Sequence, residues 1–221
     1  MTRAITHVLF DLDGTLADTA PDLGRALNSV LLEHGRAPLP IAAIRPAVSL
    51  GGAALVQLAF GVESNAPEFA ALRERFLEHY AAGVARESRL FPGIASLLDS
   101  LERLDYRWGI VTNKSAGFTA PLLDALGVAK RAACVVSGDT TPHAKPHPEP
   151  LLHACRLMQC DPARTVYVGD ARRDVEAGRS AGTATVVAGY GYIPVDENAL
   201  DWGADALIDS PGALLPWLGH A

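Results

Sequence analysis

The stretch Thr6-His7-Val8-Leu9-Phe10-Asp11-Leu12-Asp13-Gly14-Thr15 is a short apolar run that stops at two carboxylates and a glycine. A run this short, without polar alternation, reads as a strand covered on both faces. Asp11 and Asp13 are two positions apart, so an extended backbone points both to one side. Gly14 lets the chain turn, and Thr15 offers a hydroxyl and a backbone N–H. Two carboxylates this close favour either a bound Mg²⁺ or one protonated Asp. Taken alone, the segment also suits a capped turn, because Asp and Gly are turn residues. A calcium loop is excluded. It needs a glutamate twelfth from Asp11, where Asp22 stands, and a helix upstream, where a strand is expected.

Beyond that strand the pattern is helical to about residue 88. Asp18 or Thr19 caps a helix with Leu23, Ala26, Leu27, Val30 and Leu31 on one face. Gly51-Gly52 opens another helix to about Phe60. Pro67 starts a third, with Phe69, Leu72, Phe76, Tyr80 and Val84 at three- and four-residue spacing. After Pro92 strands alternate with helices. The strands are expected at Arg107–Val111, Ala133–Ser137, Thr165–Val168, Thr183–Val187 and Ala206–Ile208. The helices are expected at Ile94–Leu104, Phe118–Leu126, Glu149–Met158 and Arg172–Ala181. This alternation predicts an α/β fold with a parallel sheet, the helical block being an insertion after the first strand.

A chain of 221 residues suits one or two domains. Apolar residues at 49% and charged residues at 20% exclude a disordered, collagen-like or coiled-coil organisation. No apolar window is long enough to span a membrane, and the N-terminal apolar run is too short for a signal peptide. The net charge is −6 and no Lys/Arg run exceeds two residues, so a nucleic-acid footprint is not expected. An acidic chain can still bind an anion where a metal ion supplies the positive field. Three cysteines with no CxxC spacing read as free thiols of a cytoplasmic protein.

Four polar clusters follow expected strands: Asp11 and Asp13; Thr112-Asn113-Lys114; the loop from Gly138 to Lys145-Pro146; and Gly169–Asp174. In open parallel sheets ligands bind beyond the carboxyl ends of strands. Each cluster alone has a plain structural reading: a turn, a helix N-cap, a surface lysine, a helix-dipole acid. His143, His147, Glu149 and His153 lie among Pro146, Pro148 and Pro150, which break any helical ligand spacing, so zinc is not expected.

Together these residues resemble the haloacid dehalogenase-like hydrolases over essentially the whole chain. The matching phrases are DLDGT at Asp11–Thr15, TN at Thr112–Asn113, Lys145, and GDxxxD at Gly169–Asp174. The resemblance implies a Rossmann-like parallel-sheet core, residues 1–16 and 89–221, with an inserted helical cap, residues 17–88. It implies Asp11 as the nucleophile, Asp13 as general acid and base, and Thr112 and Asn113 as holders of the phosphoryl oxygens. Lys145 would neutralise Asp11 and the phosphate. Mg²⁺ would sit between Asp11, the Asp13 backbone carbonyl and Asp170, with Asp174 orienting the site. Such a division needs an ionised Asp11 beside the cations and a proton-holding Asp13 away from them.

The second aspartate, Asp13, points to phosphoester chemistry. The absence of lysine from residues 17–88 excludes a cap Schiff base. The chain is similar to the phosphoglycolate phosphatase group through VTNK at Val111–Lys114, KPHPEPLL at Lys145–Leu152, VGD at Val168–Asp170 and YGY at Tyr190–Tyr192. It is similar to the N-acetylmuramate 6-phosphate phosphatases through Ser49–Gly52, Tyr190–Ile193 and Trp202–Asp205. The expectation is a phosphatase of a small carboxylate-bearing metabolite, as a monomer or homodimer. Arg45, with the Ser49–Gly52 backbone including Gly51 and Gly52, is expected to meet the carboxylate or sugar. A sugar phosphomutase of the same family is the alternative; a non-catalytic binding module is a further one.

Overall fold

A computed structural model describes residues 4–220; the expected core limits at residues 1 and 221 lie outside the described residues. In chain order, β1 (His7–Phe10) leads to a short strand β2 (Ala17–Asp18) and helix α1 (Ala20–Glu33). A one-turn helix α2 (Ile41–Ile44) and a 3-10 segment over Arg45–Leu50 precede α3 (Gly52–Phe60) and α4 (Phe69–Ala81). The chain returns through β3 (Arg89–Leu90) and then alternates: α5 (Ile94–Arg103), β4 (Arg107–Val111), α6 (Ala116–Ala125), β5 (Val135–Val136), α7 (Glu149–Met158). It continues with β6 (Thr165–Gly169), α8 (Arg172–Ala181), β7 (Ala184–Ala188) and β8 (Ala206–Ile208).

Six strands form one parallel sheet in the order β5-β4-β1-β6-β7-β8. Phe10 of β1 lies opposite Ile110 of β4 and Val168 of β6. The chain builds outward from β1 to β4 and β5, then crosses to β6, β7 and β8. The order therefore reverses at β1, the place where open α/β sheets leave a ligand crevice.

The strand runs lack polar alternation because both faces are covered. Val8, Leu9, Phe10, Ile110, Val111, Val166 and Val168 are fully buried. On one face Leu151 and Ala154 of α7 and Ala177 of α8 pack with Leu9, Val111 and Tyr167. On the other, Val8, Phe10, Ile110 and Val166 join an apolar core continuous with Leu27, Val30 and Phe76 of the helical block.

Four local expectations need correction. The block is not helical from residue 17: Ala17–Asp18 pairs antiparallel with Arg89–Leu90, so the chain leaves and re-enters side by side. Asp22 secures that re-entry, its Oδ2 accepting from Glu87 N at 3.0 Å, Ser88 N at 2.8 Å and Ser88 Oγ at 2.8 Å. Thr19 does stand at the N-cap of α1, but its hydroxyl donates to Asp13 at 2.6 Å instead of capping the helix. The Ala20 N–H donates to the Tyr192 hydroxyl at 3.0 Å. β5 is shorter than Ala133–Ser137 because it is an edge strand with one neighbour, β4. α6 starts before Phe118, directly after an extended Ser115. The three cysteines are free, and no helix of the described residues is long and apolar enough to cross a membrane.

Candidate active site

Because β1, β4 and β6 are neighbours in register, the residues just past their carboxyl ends converge. Asp11, Asp170 and Asp174 are buried, with one carboxylate oxygen of each within 4.8 Å of the others. Gly14, at φ +84°, lets the loop after β1 pass directly over Asp170. A Cβ there would lie 2.0 Å from Asp170 Oδ2, so only glycine is accommodated.

Lys145 enters this cluster from below. Its Nζ lies 2.9 Å from Asp11 Oδ1 and 2.8 Å from Asp174 Oδ1. It also donates to the Tyr167 hydroxyl at 2.7 Å and the Val111 carbonyl at 3.1 Å. The Asp11 contact is an ion pair without hydrogen-bond alignment, and Asp11 Oδ1 is left a buried acceptor with no hydrogen bond. Asp174 is held by the Ala171 N–H at 3.0 Å, at the start of α8. Asp170 accepts from Ser49 Oγ at 2.6 Å, Tyr192 N at 2.8 Å and Thr15 Oγ1 at 3.2 Å.

Positive charge is short here. Burial raises Asp11 above the ordinary carboxylate range, and Asp174 adds to the rise, while Lys145 and Arg173 oppose it. Burial, with the charges of Asp11 and Asp174, pushes Asp170 up to about 7. Lys145 by itself does not hold Asp11 low; the expected division of charge counted a metal cation as well as this lysine. Three buried carboxylates, one carrying an orphaned oxygen, are a donor set that suits a hard divalent cation.

Asp13 stands apart from that cluster. Its carboxylate accepts from Lys114 Nζ at 2.9 and 3.0 Å and from Thr19 Oγ1 at 2.6 Å. That leaves only its backbone carbonyl for a cation shared with Asp11. Asp13 is thus apart from Lys145 but beside another cation, Lys114, which the sequence expectation did not name. Burial would lower the pKa of the Lys114 ammonium, but Asp13 and Tyr80 hold it above its ordinary value.

Asn113 is joined to Lys145. Its Nδ2 donates to the Lys145 carbonyl at 2.9 Å, and its Oδ1 accepts from the Lys145 N–H at 3.0 Å. The side chain thus clamps the Lys145 peptide, while Asn113 still borders the cavity described next. Thr112 borders the cavity with its hydroxyl accepting from Lys114 N at 3.2 Å, which leaves its O–H to donate.

Above these groups lies a cavity of about 210 Å³, closed on its far side by the helical block. Asp11, Asp13, Thr112, Asn113, Lys114 and Arg173 line its sheet side. Val48, Ser49, Gly51, Gly52 and Leu55 line the other, with Arg73, Phe76, Leu77 and Tyr80 of α4. Gly51 takes φ +92° where the 3-10 segment gives way to α3. Arg45 is elsewhere. It pairs with Asp18 at 2.7 Å, stacks over Tyr192 and borders a separate groove, so it does not reach this cavity.

Lys114, Arg73, Arg173 and the Tyr167 hydroxyl were missed by sequence reasoning. Lys114 lay in a noted polar cluster, but its meeting with Asp13 follows only from the pairing of β1 with β4. The three-four spacing of Arg73, Phe76, Leu77 and Tyr80 was a readable signal for one face of α4.

A model of the haloacid dehalogenase-like hydrolases matches residues 8–188. An N-acetylmuramic acid 6-phosphate phosphatase of Pseudomonas putida is 44% identical over 204 residues, covering 92% of each chain. A phosphoglycolate phosphatase of Xylella fastidiosa is 41% identical over 207 residues, covering 94% of this chain and 90% of the relative. The crystal structure of a predicted phosphoglycolate phosphatase from Haemophilus somnus has a TM-score of 0.86 at 27% identity, covering 98% of this chain and 99% of that one. The chain belongs to the haloacid dehalogenase-like hydrolase family, and it is an enzyme of the phosphatase kind within it.

Proposed function

We propose that this phosphatase is a cytoplasmic, Mg²⁺-dependent phosphomonoesterase working through an aspartyl-phosphate on Asp11. Its substrate is a compact phosphate ester that also bears a carboxylate, such as 2-phosphoglycolate or N-acetylmuramate 6-phosphate. The observation that carries this reading is the buried Asp11–Asp170–Asp174 cluster around Lys145, with Asp13 beside it at the floor of a cavity roofed by the helical block. The relatives' names support the substrate class. The cavity volume of about 210 Å³ supports a small ligand, since drug-sized clefts run from about 300 Å³ upward.

Asp11, Asp170 and Asp174 would hold Mg²⁺ in the core, where it supplies positive charge against the phosphoryl oxygens. The Asp11 carboxylate attacks phosphorus, and the ester oxygen leaves with a proton from Asp13. Asp13 then takes a proton from water as the water oxygen attacks the same phosphorus. Inorganic phosphate leaves and Asp11 is restored. Lys145 stays charged beside Asp11 throughout, and the Thr112 O–H is available to a phosphoryl oxygen. The helical block between residues 17 and 88 roofs the cavity and so limits the access of bulk water.

Phosphate release from these two esters, hexose phosphates and nucleoside monophosphates, compared by kcat/KM, tests the substrate class. Asp11→Asn is expected to lower kcat by at least about 10³-fold with an unchanged circular dichroism spectrum. A normal rate in that variant would overturn the covalent route.

A further inference from the structure

Nearly every lysine and arginine in the described residues is committed to a carboxylate, a backbone carbonyl or another polar side chain. Three are not: Arg73, Lys130 and Arg173 make no hydrogen bond or ion pair. Two of these three, Arg73 and Arg173, line the cavity above the acid cluster. They are not equivalent. Arg173 lies against the buried acids, and Asp174, Asp11 and Asp170 outweigh its burial to keep its pKa raised. Arg73 lies on the helical side, on the α4 face shared by Phe76, Leu77 and Tyr80. Glu78 on the same helix and Glu33 at the end of α1 do not claim it, since both are paired with Arg75, at 2.7 and 2.6 Å.

The surroundings of Arg73 suit recognition of an anion. Val48, Leu55, Phe76 and Leu77 give that side of the cavity an apolar wall, and Arg73 stands exposed beside it with no protein group on its guanidinium. The Tyr80 hydroxyl is buried there without a hydrogen-bond partner, an unused donor on the same helix face. A guanidinium presents two parallel N–H donors to a carboxylate. The sheet side, with Lys114, Arg173 and the acid cluster, is occupied with the phosphoryl end of a ligand under the proposed function.

Resting on that function, we propose that Arg73 is the specificity residue of the enzyme. It pairs with the carboxylate of the leaving group while the phosphoryl group sits at Asp11. Arg45 has no part in this, being tied to Asp18.

The test uses matched substrates on the full-length protein with Mg²⁺. One pair is 2-phosphoglycolate and 2-hydroxyethyl phosphate. The other is N-acetylmuramate 6-phosphate and N-acetylglucosamine 6-phosphate, which lacks only the lactyl ether and its carboxylate. In the wild type the carboxylate-bearing member of at least one pair is expected to be preferred. In Arg73→Ala and Arg73→Gln that preference is expected to fall roughly ten- to hundredfold, mainly through KM. Arg73→Lys is expected to restore part of it. A preference that is unchanged in both variants, or a wild type that prefers neither member of either pair, overturns the assignment of Arg73 alone. A wild type that releases no phosphate from any of the four, nor from p-nitrophenyl phosphate, overturns the proposed function and this inference with it.

Discussion

Lys145, on the sheet side of the cavity, has four oxygens within 3.1 Å of its Nζ, whereas Arg73, on the helical side, has no partner. The same asymmetry runs through their surroundings. Below, Asn113 clamps the Lys145 peptide, Thr15, Ser49 and Tyr192 hold Asp170, and Ala171 holds Asp174. Above, the lining is mostly apolar side chains and two glycines, with Ser49, the unpartnered Tyr80 hydroxyl and one unclaimed guanidinium. A group that must meet a transition state is useful only if it is fixed beforehand. A group that must meet the variable part of a substrate is useful only if nothing else has taken it. The floor therefore reads as chemistry and the roof as selection.

Disturbing the floor should cost far more than disturbing the roof. After Asp11→Asn, the largest effect is expected from Lys145→Met. It leaves Asp11 and Asp174 buried without their shared cation, and should reduce kcat about 10²- to 10³-fold and lower Tm. Steady-state phosphate release and thermal melts measure both. A variant with wild-type kcat would show that the floor is not the reactive side.

Asn113→Ala should come next, with kcat down about ten- to hundredfold, because the Lys145 ammonium stays but loses its positioning. Rates compared at saturating substrate would separate this from a loss of phosphate binding, which would appear in KM.

The smallest effect is on stability. Asp170 is raised from 3.8 to about 7 by burial and by its acidic neighbours, so the folded metal-free protein keeps a proton that the unfolded chain has already lost. Its stability should fall as pH rises from about 4 through about 7. A cation competes with that proton, so Mg²⁺ should raise Tm more at pH 8 than at pH 5.5 by roughly a few degrees. An equal shift at both pH values would detach Asp170 from the cation.

The floor was also the legible part. Asp11, Lys145, Asp170 and Asp174 each follow a strand or a proline-marked loop, and parallel strands carry such positions to one edge whatever the loop lengths. The alternation after Pro92 placed β4, β6, β7 and β8 because buried parallel strands have a distinct apolar texture. The roof was read less well. Arg45 is close to Gly51-Gly52 in sequence, and that nearness suggested a shared site. The phase of α4, however, delivers Arg73, and the 3-10 segment turns Arg45 toward Asp18. Asp13 and Lys114 are 101 positions apart, and nothing local announces their pairing. The ribbon of Ala17–Asp18 with Arg89–Leu90 has two residues a side, too few to show a period. The Tyr167 hydroxyl was hidden in an apolar run, although it meets Lys145, Val111 and Asp174.

The central position of β1 has a consequence for how the chain is made. Among the strands of its sheet it comes first in chain order, yet its two neighbours come from residues 107–111 and 165–169. Emerging from the ribosome, it has no sheet to join until most of the chain has followed. The helices of residues 20–81 can meanwhile gather around local contacts, since short-range packing forms before distant strand pairing. The helical block then serves the nascent chain as well as the finished enzyme: Leu16, Ala17 and Ala20 tether the waiting strand to an apolar surface made soon after it.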